Sequence, residues 1–293
     1  MPERENPRFP PFPGTVAEAR LLQERLRGEV RVRPLELPRL RRVAAADVTF
    51  LSEKETVAAA VVVVDYPSGE VVEERTAVVR TEFPYVPGYL SFREGPAILA
   101  AWSELDRLPD AVLFDGQGIA HPRRFGIASH MGVLLDVPSV GCAKSRLVGE
   151  HDEPGGEKGD RAPLRHEGEV VGAAVRTRRG VKPVYVSVGH RADLPTAIDL
   201  VLSLCARYRL PDPARRAHQL TRELRAGGGH SFPPSRTRIR NVPLKGESYP
   251  HRRRSSRVSW WARRAGSGRR YRAQRDRTRS IAVVRSARCP TET

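Results

Sequence analysis

Three apolar, β-branched segments in quick succession constrain the fold of this chain most. They cover Arg42–Phe50, Thr56–Tyr66 and Glu70–Arg80, and the second contains the run "VAAAVVVV". The sequence "DYPSGE" between the second and third segments is a turn signal. Because strands this closely spaced are typical of antiparallel neighbours, we predict a three-strand meander.

Helices and strands are predicted to alternate along the rest of the chain. Short buried strands are expected at "AVLFD" and "SVGCA", and a hairpin over "EVVGAAVRTRRGVKPVYVSVGHR" with its turn at Arg179-Gly180. The helices are predicted over Val16–Arg27, Gly95–Leu108, Arg124–Leu135, Leu194–Tyr208 and Pro213–Arg225. A meander followed by alternating elements predicts an α/β sheet with helices on its faces.

Residues 227–293 carry almost all of the excess positive charge. They hold 18 of the 51 Lys and Arg residues but 3 of the 34 Asp and Glu residues, so the net charge is +15 there and +2 elsewhere. The segment lacks apolar periodicity, and we predict a basic, disordered C-terminal tail. The predicted organisation is a flexible N-terminus over residues 1–14, a catalytic domain over 15–226 and this tail.

Three interpretations of the tail remain open. Arginines interleaved with Trp260, Trp261 and Tyr271 could bind phosphates and stack on bases. The tail could equally be a solvated appendage without function. An out-of-frame C-terminus would also explain the abrupt change in composition.

The cysteines and the N-terminus indicate the cellular compartment of the protein. Cys142, Cys205 and Cys289 are widely spaced and form no CxxC pair, so neither a disulfide framework nor a zinc site is indicated. The N-terminus is charged and Pro-rich without an apolar core, unlike a secretory signal. The longest apolar run is too short to span a bilayer. We therefore expect a cytoplasmic protein with no membrane partner.

Asp47 stands alone among apolar residues in "VAAADVTF". A buried carboxylate is costly unless it is paired or binds a cation. Strand alternation could instead point Asp47 to solvent at a sheet edge. For this residue taken alone, the solvent-facing interpretation is favoured.

Asp115 ends the predicted strand "AVLFD" and is followed by "GQG". Ligands of open α/β sheets bind beyond the carboxyl ends of the strands, and Gly116 and Gly118 would let a backbone or a base approach closely. An ordinary Asp-Gly turn would look the same. A dinucleotide-binding loop is not favoured, because the GxGxxG spacing is missing.

Glu94 lies just before the predicted helix that begins at Gly95, where an acid would complement the helix dipole. Combined with Asp47 and Asp115, however, it forms a set of hard oxygen ligands that suits Mg²⁺. The chemistry indicated by such a set is metal-assisted phosphodiester hydrolysis.

Several basic side chains could complete such a site. Lys144 follows the strand "SVGCA", and His218 lies on the last predicted helix. His121 and Arg123 could contact a base or a phosphate. Each also has an ordinary structural interpretation as a surface lysine, a helical histidine or part of a capped turn.

Four stretches of the chain together resemble the endonuclease V family, also called deoxyinosine 3′ endonuclease. They are "AAADVTF", "PYVPGYLSFREGP", "LFDGQGIAHPRRFGIASHMGVLLDVPSVGCAKS" and "GVKPVYVSVGHR", and they occur in the family's order. The resemblance covers about residues 17–225. It departs from the family in the basic tail, which the family does not generally carry. It implies a ribonuclease H-like mixed sheet, in which an antiparallel meander is joined to parallel strands and flanked by helices.

The resemblance also implies a catalytic centre. Asp47 and Asp115 would hold Mg²⁺, or Mn²⁺ as a substitute, and Glu94 would complete the acidic cluster. Lys144 and His218 match family positions near the scissile phosphate.

The family's lesion-binding residues have counterparts here too. Tyr85 matches the wedge residue that holds the strands apart once a damaged base has turned out. The positions that match the pocket for the flipped base are Gly88, Leu90, Gly116, His121, Ile127 and Gly141.

The activity implied is Mg²⁺-dependent DNA repair. The family recognises deoxyinosine, the product of adenine deamination, and hydrolyses the second phosphodiester bond on its 3′ side. Two alternatives remain open: an endoribonuclease specific for inosine in RNA, and a non-catalytic nucleic-acid-binding protein dominated by its tail. We expect the protein to act on damaged DNA as a monomer.

Overall fold

The computed structural model describes residues 12–51 and 55–227. The predictions for residues 1–11 and 228–293, a flexible N-terminus and a disordered tail, lie outside the described residues. Within the described ranges, no helix is both long and apolar enough to cross a membrane.

A single mixed sheet organises the described part of the chain. Its eight strands lie in the order β3-β2-β1-β4-β5-β8-β7-β6. In chain order the strands are β1 Arg42–Phe50, β2 Thr56–Asp65, β3 Val71–Arg80, β4 Ala111–Phe114, β5 Ser139–Ala143, β6 Arg161–His166, β7 Glu169–Val175 and β8 Val184–His190.

The pairing of the strands confirms the predicted mixed sheet. Strands β1, β2 and β3 form the antiparallel meander. Strand β1 also pairs with β4, and β4 with β5, and both of these pairs are parallel. The predicted hairpin is the antiparallel pair of β7 and β8, with β6 added at its outer edge.

Helices cover both faces of the sheet. The helices are α1 Val16–Arg27, α2 Leu90–Ser103, α3 Ile127–Leu135, α4 Leu194–Ser203 and α5 Asp212–Arg225. Odd-numbered β1 residues such as Val43 and Ala45 pack in one core with α4 and α5, and even-numbered ones such as Ala44 pack in another with α2 and α3. Because both faces are covered, β2 is apolar almost throughout.

Several predicted helix boundaries are wrong. Helix α2 begins at Leu90 and ends at Ser103, five residues before the predicted start and five before the predicted end, and Pro96 lies inside it. Helix α3 begins at Ile127 and not at Arg124, because Arg124 has a left-handed backbone (φ 55°). Helix α4 ends at Ser203, before the predicted end at Tyr208.

The polar insertion between β5 and β7 contains a strand that was not predicted. Strand β6 has the sequence "RAPLRH" and pairs antiparallel with β7. Its alternating exposed and buried residues fit an edge strand, where one face stays in solvent.

Candidate active site

Parallel pairing of β1 and β4 places two acids side by side. Ala46 pairs with Phe114 as the last matched residues of the two strands, and the next residue on each is Asp47 and Asp115. The amide of Asp115 also donates to the carbonyl of Ala46 at 3.3 Å. The expectation that Asp47 faces solvent at a sheet edge is wrong. Strand β1 lies inside the sheet, and Asp47 is 6% exposed.

Helix α5 supplies the hydrogen-bond partners of Asp47. His218 Nδ1 lies 3.0 Å from Asp47 Oδ2, and the Thr221 hydroxyl donates to the same oxygen at 2.8 Å. Asp47 lies two and four residues after Ala45 and Val43 on β1, so its side chain points to the same face of the sheet, which α5 covers. The contact satisfies a carboxylate that would otherwise be buried without a donor.

Lys144 forms an ion pair with Asp115. It directly follows β5, the parallel neighbour of β4, and its Nζ lies 2.5 Å from Asp115 Oδ2. Burial raises the pKa of Asp115, the Lys144 ammonium opposes that rise, and the negative charge of Asp47 adds to it. The site thus holds two acids whose mutual repulsion a cation would relieve.

Glu94 lies within the first two turns of α2 and not before the helix, as predicted. Burial raises its pKa to about 8, and the negative charges of Asp47 and Asp115 add to that rise. Glu94 therefore interacts electrostatically with both acids. Without a cation, it holds a proton at neutral pH.

Asp47, Asp115 and His218 form a group that could hold a metal ion. One ligand atom from each lies within 4.8 Å of the others. The metal set predicted from sequence named Glu94 as the third member, but this group contains His218 instead. Two carboxylates and an imidazole, with a raised pKa at Asp115, fit a divalent cation by donor type and by electrostatics.

The predicted lesion-pocket residues form two local groups. In the first, Gly88 adopts a left-handed backbone (φ 80°), and a Cβ there would lie 2.7 Å from Arg123 Nη2 and 3.5 Å from His121 Nε2. Burial, together with the charge of Arg123, lowers the pKa of His121 to about 4, so this imidazole is neutral. Leu90 begins α2 two residues after Gly88 and is half-buried.

The second group surrounds the turn after Asp115. A Cβ on Gly116 would lie 2.6 Å from Ile127 Cγ2, and one on Gly141 would lie 2.6 Å from the Gly116 carbonyl oxygen. The amide of Gly118 donates to the Ser187 hydroxyl at 2.8 Å. Gly118 and Gly141 allow the turn to pack directly on β8 and β5. The sequence left open whether a backbone or a base needs the space at Gly116 and Gly118. Neighbouring backbone takes it at Gly118, and the Ile127 side chain takes it at Gly116.

Arg123 binds within the protein. Its Nε donates to Gln23 Oε1 at 2.6 Å and its Nη2 to the Gly88 carbonyl at 2.5 Å, and its guanidinium lies 3.9 Å from the ring centroid of Tyr89. If Arg123 contacts a base or phosphate, as predicted, the same guanidinium must also keep or give up these contacts within the protein. The neighbouring Arg124 likewise pairs with Glu167 and Glu169.

Tyr85 is the most exposed aromatic side chain near the site, at 64%. Its ring meets Phe50 edge to face, with 6.3 Å between centroids. Phe50 ends β1, the strand that carries Asp47. The predicted wedge residue therefore keeps most of its ring exposed while it packs against the end of β1.

Comparison with known proteins shows the family of this chain. The profile of the Endonuclease V family matches residues 24–219. The chain belongs to the Endonuclease V family. An Endonuclease V from Myxococcus xanthus is 52% identical over 217 residues, which cover 74% of this chain and 92% of the relative.

Solved Endonuclease V structures share the fold. That from Streptomyces avermitilis has 46% identity and a TM-score of 0.71, covering 74% of this chain and 95% of its own. Endonuclease V from Ciona intestinalis, solved with a 23mer DNA containing an inosine followed by a ribo-adenosine, has 29% identity and a TM-score of 0.65. The match covers 72% of this chain and 97% of that one.

Three residues that contact the site were not found by sequence reasoning. Thr221 binds Asp47, Gln23 binds Arg123 and Gly88, and Phe50 supports Tyr85. Thr221 follows His218 by three residues on one helix, a spacing that places both on the same face. That spacing is the one sequence signal that could have indicated Thr221. No sequence pattern indicates that Gln23 or Phe50 contacts the site.

Proposed function

We propose that this Endonuclease V family endonuclease recognises deoxyinosine in DNA and hydrolyses the second phosphodiester bond on its 3′ side, with Mg²⁺ as its cation. The observation that carries the proposal is the group of Asp47, Asp115 and His218. The two acids lie just beyond the last parallel pair of β1 and β4, and α5 brings His218 against Asp47. Residues 15–226 would form the catalytic domain, acting as a monomer.

In this proposal Asp47 and Asp115 hold the cation, and Glu94 completes the acidic cluster. A bound Mg²⁺ would favour deprotonation of the attacking water and neutralise charge on the leaving 3′-oxygen. Glu94, with its pKa raised to about 8, would release its proton as the cation binds, because a positive charge nearby stabilises the carboxylate.

His218 and Lys144 would act on the phosphate. In the neutral tautomer that donates from Nδ1 to Asp47 Oδ2, Nε2 of His218 is the acceptor nitrogen and could take a proton from water. The Lys144 ammonium, held against Asp115, adds a positive charge where the negative phosphate would approach.

Lesion recognition would use the two groups of pocket residues. Hypoxanthine pairs weakly, so turning it out of the duplex costs about a few kcal/mol at most. Tyr85 would enter the gap and stack on the remaining bases. Neutral His121, beside Gly88, could hydrogen-bond the flipped base without the cost of burying a charge.

An inosine-specific ribonuclease is the second candidate. It is favoured by the Ciona intestinalis relative, whose bound DNA has a ribo-adenosine after the inosine. A 2′-hydroxyl at that position distinguishes RNA from DNA locally. The two candidates share the same cation site and differ only in the sugar that is preferred.

A nicking assay with matched substrates tests the proposal. Duplexes would carry one deoxyinosine followed by deoxyadenosine, or the same lesion followed by riboadenosine, with Mg²⁺ or with EDTA. We expect a Mg²⁺-dependent nick at the second 3′ phosphodiester, lost in Asp115→Asn and kept in Asp152→Asn, an exposed control. A strong preference for the ribo substrate would favour the ribonuclease.

The non-catalytic alternative has its own signature. A chain ending at Arg225 should keep the nick if the tail is accessory, and light scattering should give the mass of a monomer. No nick from any variant, with binding lost on removal of residues 227–293, would leave a nucleic-acid-binding protein.

A further inference from the structure

Thr221 lies beneath the proposed cation site and is fully buried, with 0% of its surface exposed. It is on α5, one helical turn beyond His218, and this helix packs against β1 and β2. Both residues therefore face the strand that carries Asp47.

The Thr221 hydroxyl has one proton and two acceptors within reach. Asp47 Oδ2 lies 2.8 Å from Thr221 Oγ1, and the carbonyl oxygen of His218 lies 3.0 Å away. Because the carboxylate carries negative charge, the hydrogen bond to it is the stronger of the two. The proton therefore belongs on the side of Asp47.

Both helix residues meet the same oxygen of Asp47. His218 Nδ1 and Thr221 Oγ1 both contact Oδ2, and neither of these two hydrogen bonds involves Oδ1. A carboxylate fixed through one oxygen by two partners has its other oxygen in a defined direction. Such outer hydrogen bonds orient metal ligands and are commonly needed for full affinity.

We propose that Thr221 is a positioning residue for the cation site, holding Asp47 Oδ2 so that Oδ1 is presented to a divalent cation. This inference rests on the proposed function, because it assumes that Asp47 is a cation ligand. Thr221 acts through Asp47 and contacts neither the cation nor the substrate.

Packing alone does not require a hydroxyl at this position. Valine has nearly the shape of threonine, and Ala217 and Leu220 beside it on α5 belong to an apolar core. Threonine brings a polar atom into that environment, which is unfavourable unless the atom is hydrogen-bonded. The hydroxyl therefore requires an acceptor, and of the two within reach Asp47 Oδ2 is the nearer and the charged one.

Two matched pairs of variants isolate the hydroxyl in the full chain. Thr221→Val keeps the volume of the wild-type residue and removes the hydroxyl. Thr221→Ser and Thr221→Ala both lose the methyl group and differ in the hydroxyl alone, so they keep the comparison valid if valine impairs folding. Thr81→Val, at a buried threonine just after β3, serves as the control.

The primary readout is Mn²⁺ binding by calorimetry, without DNA. We expect Thr221→Val and Thr221→Ala to weaken Mn²⁺ binding by about 10-fold or more, while Thr221→Ser and Thr81→Val stay within about 3-fold of wild type. In cleavage assays the Mn²⁺ concentration for half-maximal rate should rise in parallel, with kcat at saturating Mn²⁺ changed less.

Different outcomes separate this inference from the proposed function. Unchanged Mn²⁺ binding in Thr221→Val and Thr221→Ala, with wild type binding and cleaving normally, would overturn the role of Thr221 alone. Equal weakening in the serine and alanine variants would also overturn it, since the methyl group would then be responsible. A wild-type protein that binds no Mn²⁺ would overturn both.

Discussion

Gln23 and Gly88 are 65 residues apart in the chain, yet the Gln23 side-chain amide donates to the Gly88 carbonyl oxygen at 3.0 Å. The same amide reaches the Phe125 carbonyl at 3.4 Å, and Gln23 Oε1 accepts from Arg123. One buried side chain of α1 thereby joins the loop before α2 to the loop before α3. Both loops carry residues of the proposed lesion pocket.

Gln23→Met should loosen this connection while filling a similar volume. Methionine cannot make the hydrogen bonds of the Gln23 side chain to Gly88, Phe125 and Arg123. Arg123 Nε then loses Gln23 Oε1 as its acceptor. We expect KM for a deoxyinosine duplex to rise by about 10-fold, consistent with the loss of charge-assisted hydrogen bonds, with kcat changed less. Steady-state cleavage kinetics give both constants.

Glu24→Gln, on the exposed side of the same helix, is the control and should leave both constants unchanged. If Gln23→Met lowered kcat at unchanged KM, the connection would serve the cation site and not the pocket.

Glu94 should make the stability of the metal-free protein depend on pH. Its folded pKa is about 8 against an ordinary value of 4.5. Below pH 4.5 both states are protonated. Between pH 4.5 and 8 the folded state keeps a proton that the unfolded state has lost, so the free energy of unfolding falls as pH rises and then levels off.

Glu94→Gln removes this dependence because glutamine does not titrate. In EDTA at pH 9, we expect the free energy of unfolding of the variant to exceed that of wild type by roughly 2–4 kcal/mol. At pH 5 the two free energies should be nearly equal. Urea unfolding measures both. Glu82→Gln, at an exposed residue, should follow wild type at both pH values. Parallel stability curves for wild type and Glu94→Gln would contradict the raised pKa.

Lys144 should control the pH at which Asp115 becomes available to a cation. The Lys144 ammonium opposes the rise in the pKa of Asp115 that burial and Asp47 cause. Lys144→Gln removes that charge, so the pKa of Asp115 should rise further. Mn²⁺ binding measured by calorimetry from pH 5 to pH 8 should then shift to higher pH.

Lys158→Gln, which removes a lysine that binds the Cys205 carbonyl elsewhere, should not shift the binding curve. Stronger Mn²⁺ binding by Lys144→Gln at low pH would mean that the ammonium competes with the cation more than it lowers the pKa of Asp115.

Local patterns predicted most of the sheet. The apolar, β-branched composition of Arg42–Phe50 and the short apolar run Ser139–Ala143 predicted β1 and β5 with their correct bounds, and amphipathic spacing did the same for α1. Strand β6 was missed because it contains Pro163 and carries charges on its exposed face. The start of α2 was misplaced because Gly95-Pro96 resembles a helix beginning, whereas packing carries the helix through it.

Motifs named candidate residues of the site, but no local pattern predicted where distant side chains meet. Resemblance named Asp47, Asp115 and His218 as candidates, and their proximity depends on how β1, β4 and α5 are arranged. The solvent-facing interpretation of Asp47 failed because alternation alone does not reveal that α5 covers that face. The contacts of Gln23 span 65 to 102 residues, and no local pattern encodes them.

Gly141 should tolerate no side chain, because β5 lies directly against the turn that follows Asp115. A Cβ there would lie 2.6 Å from both the Gly116 carbonyl oxygen and the Gly118 amide nitrogen, which are backbone atoms that cannot rotate away. We expect Gly141→Ala to lower the free energy of unfolding by about 1–3 kcal/mol, as overpacking does. It should lower the cleavage rate by more than this loss of stability implies, since the displaced turn directly follows Asp115.

Urea unfolding and nicking assays on the same preparation separate the two effects. Gly156→Ala, where a Cβ meets nothing within 4 Å, should change neither. Full cleavage by a stable Gly141→Ala would show that the turn can move without disturbing Asp115.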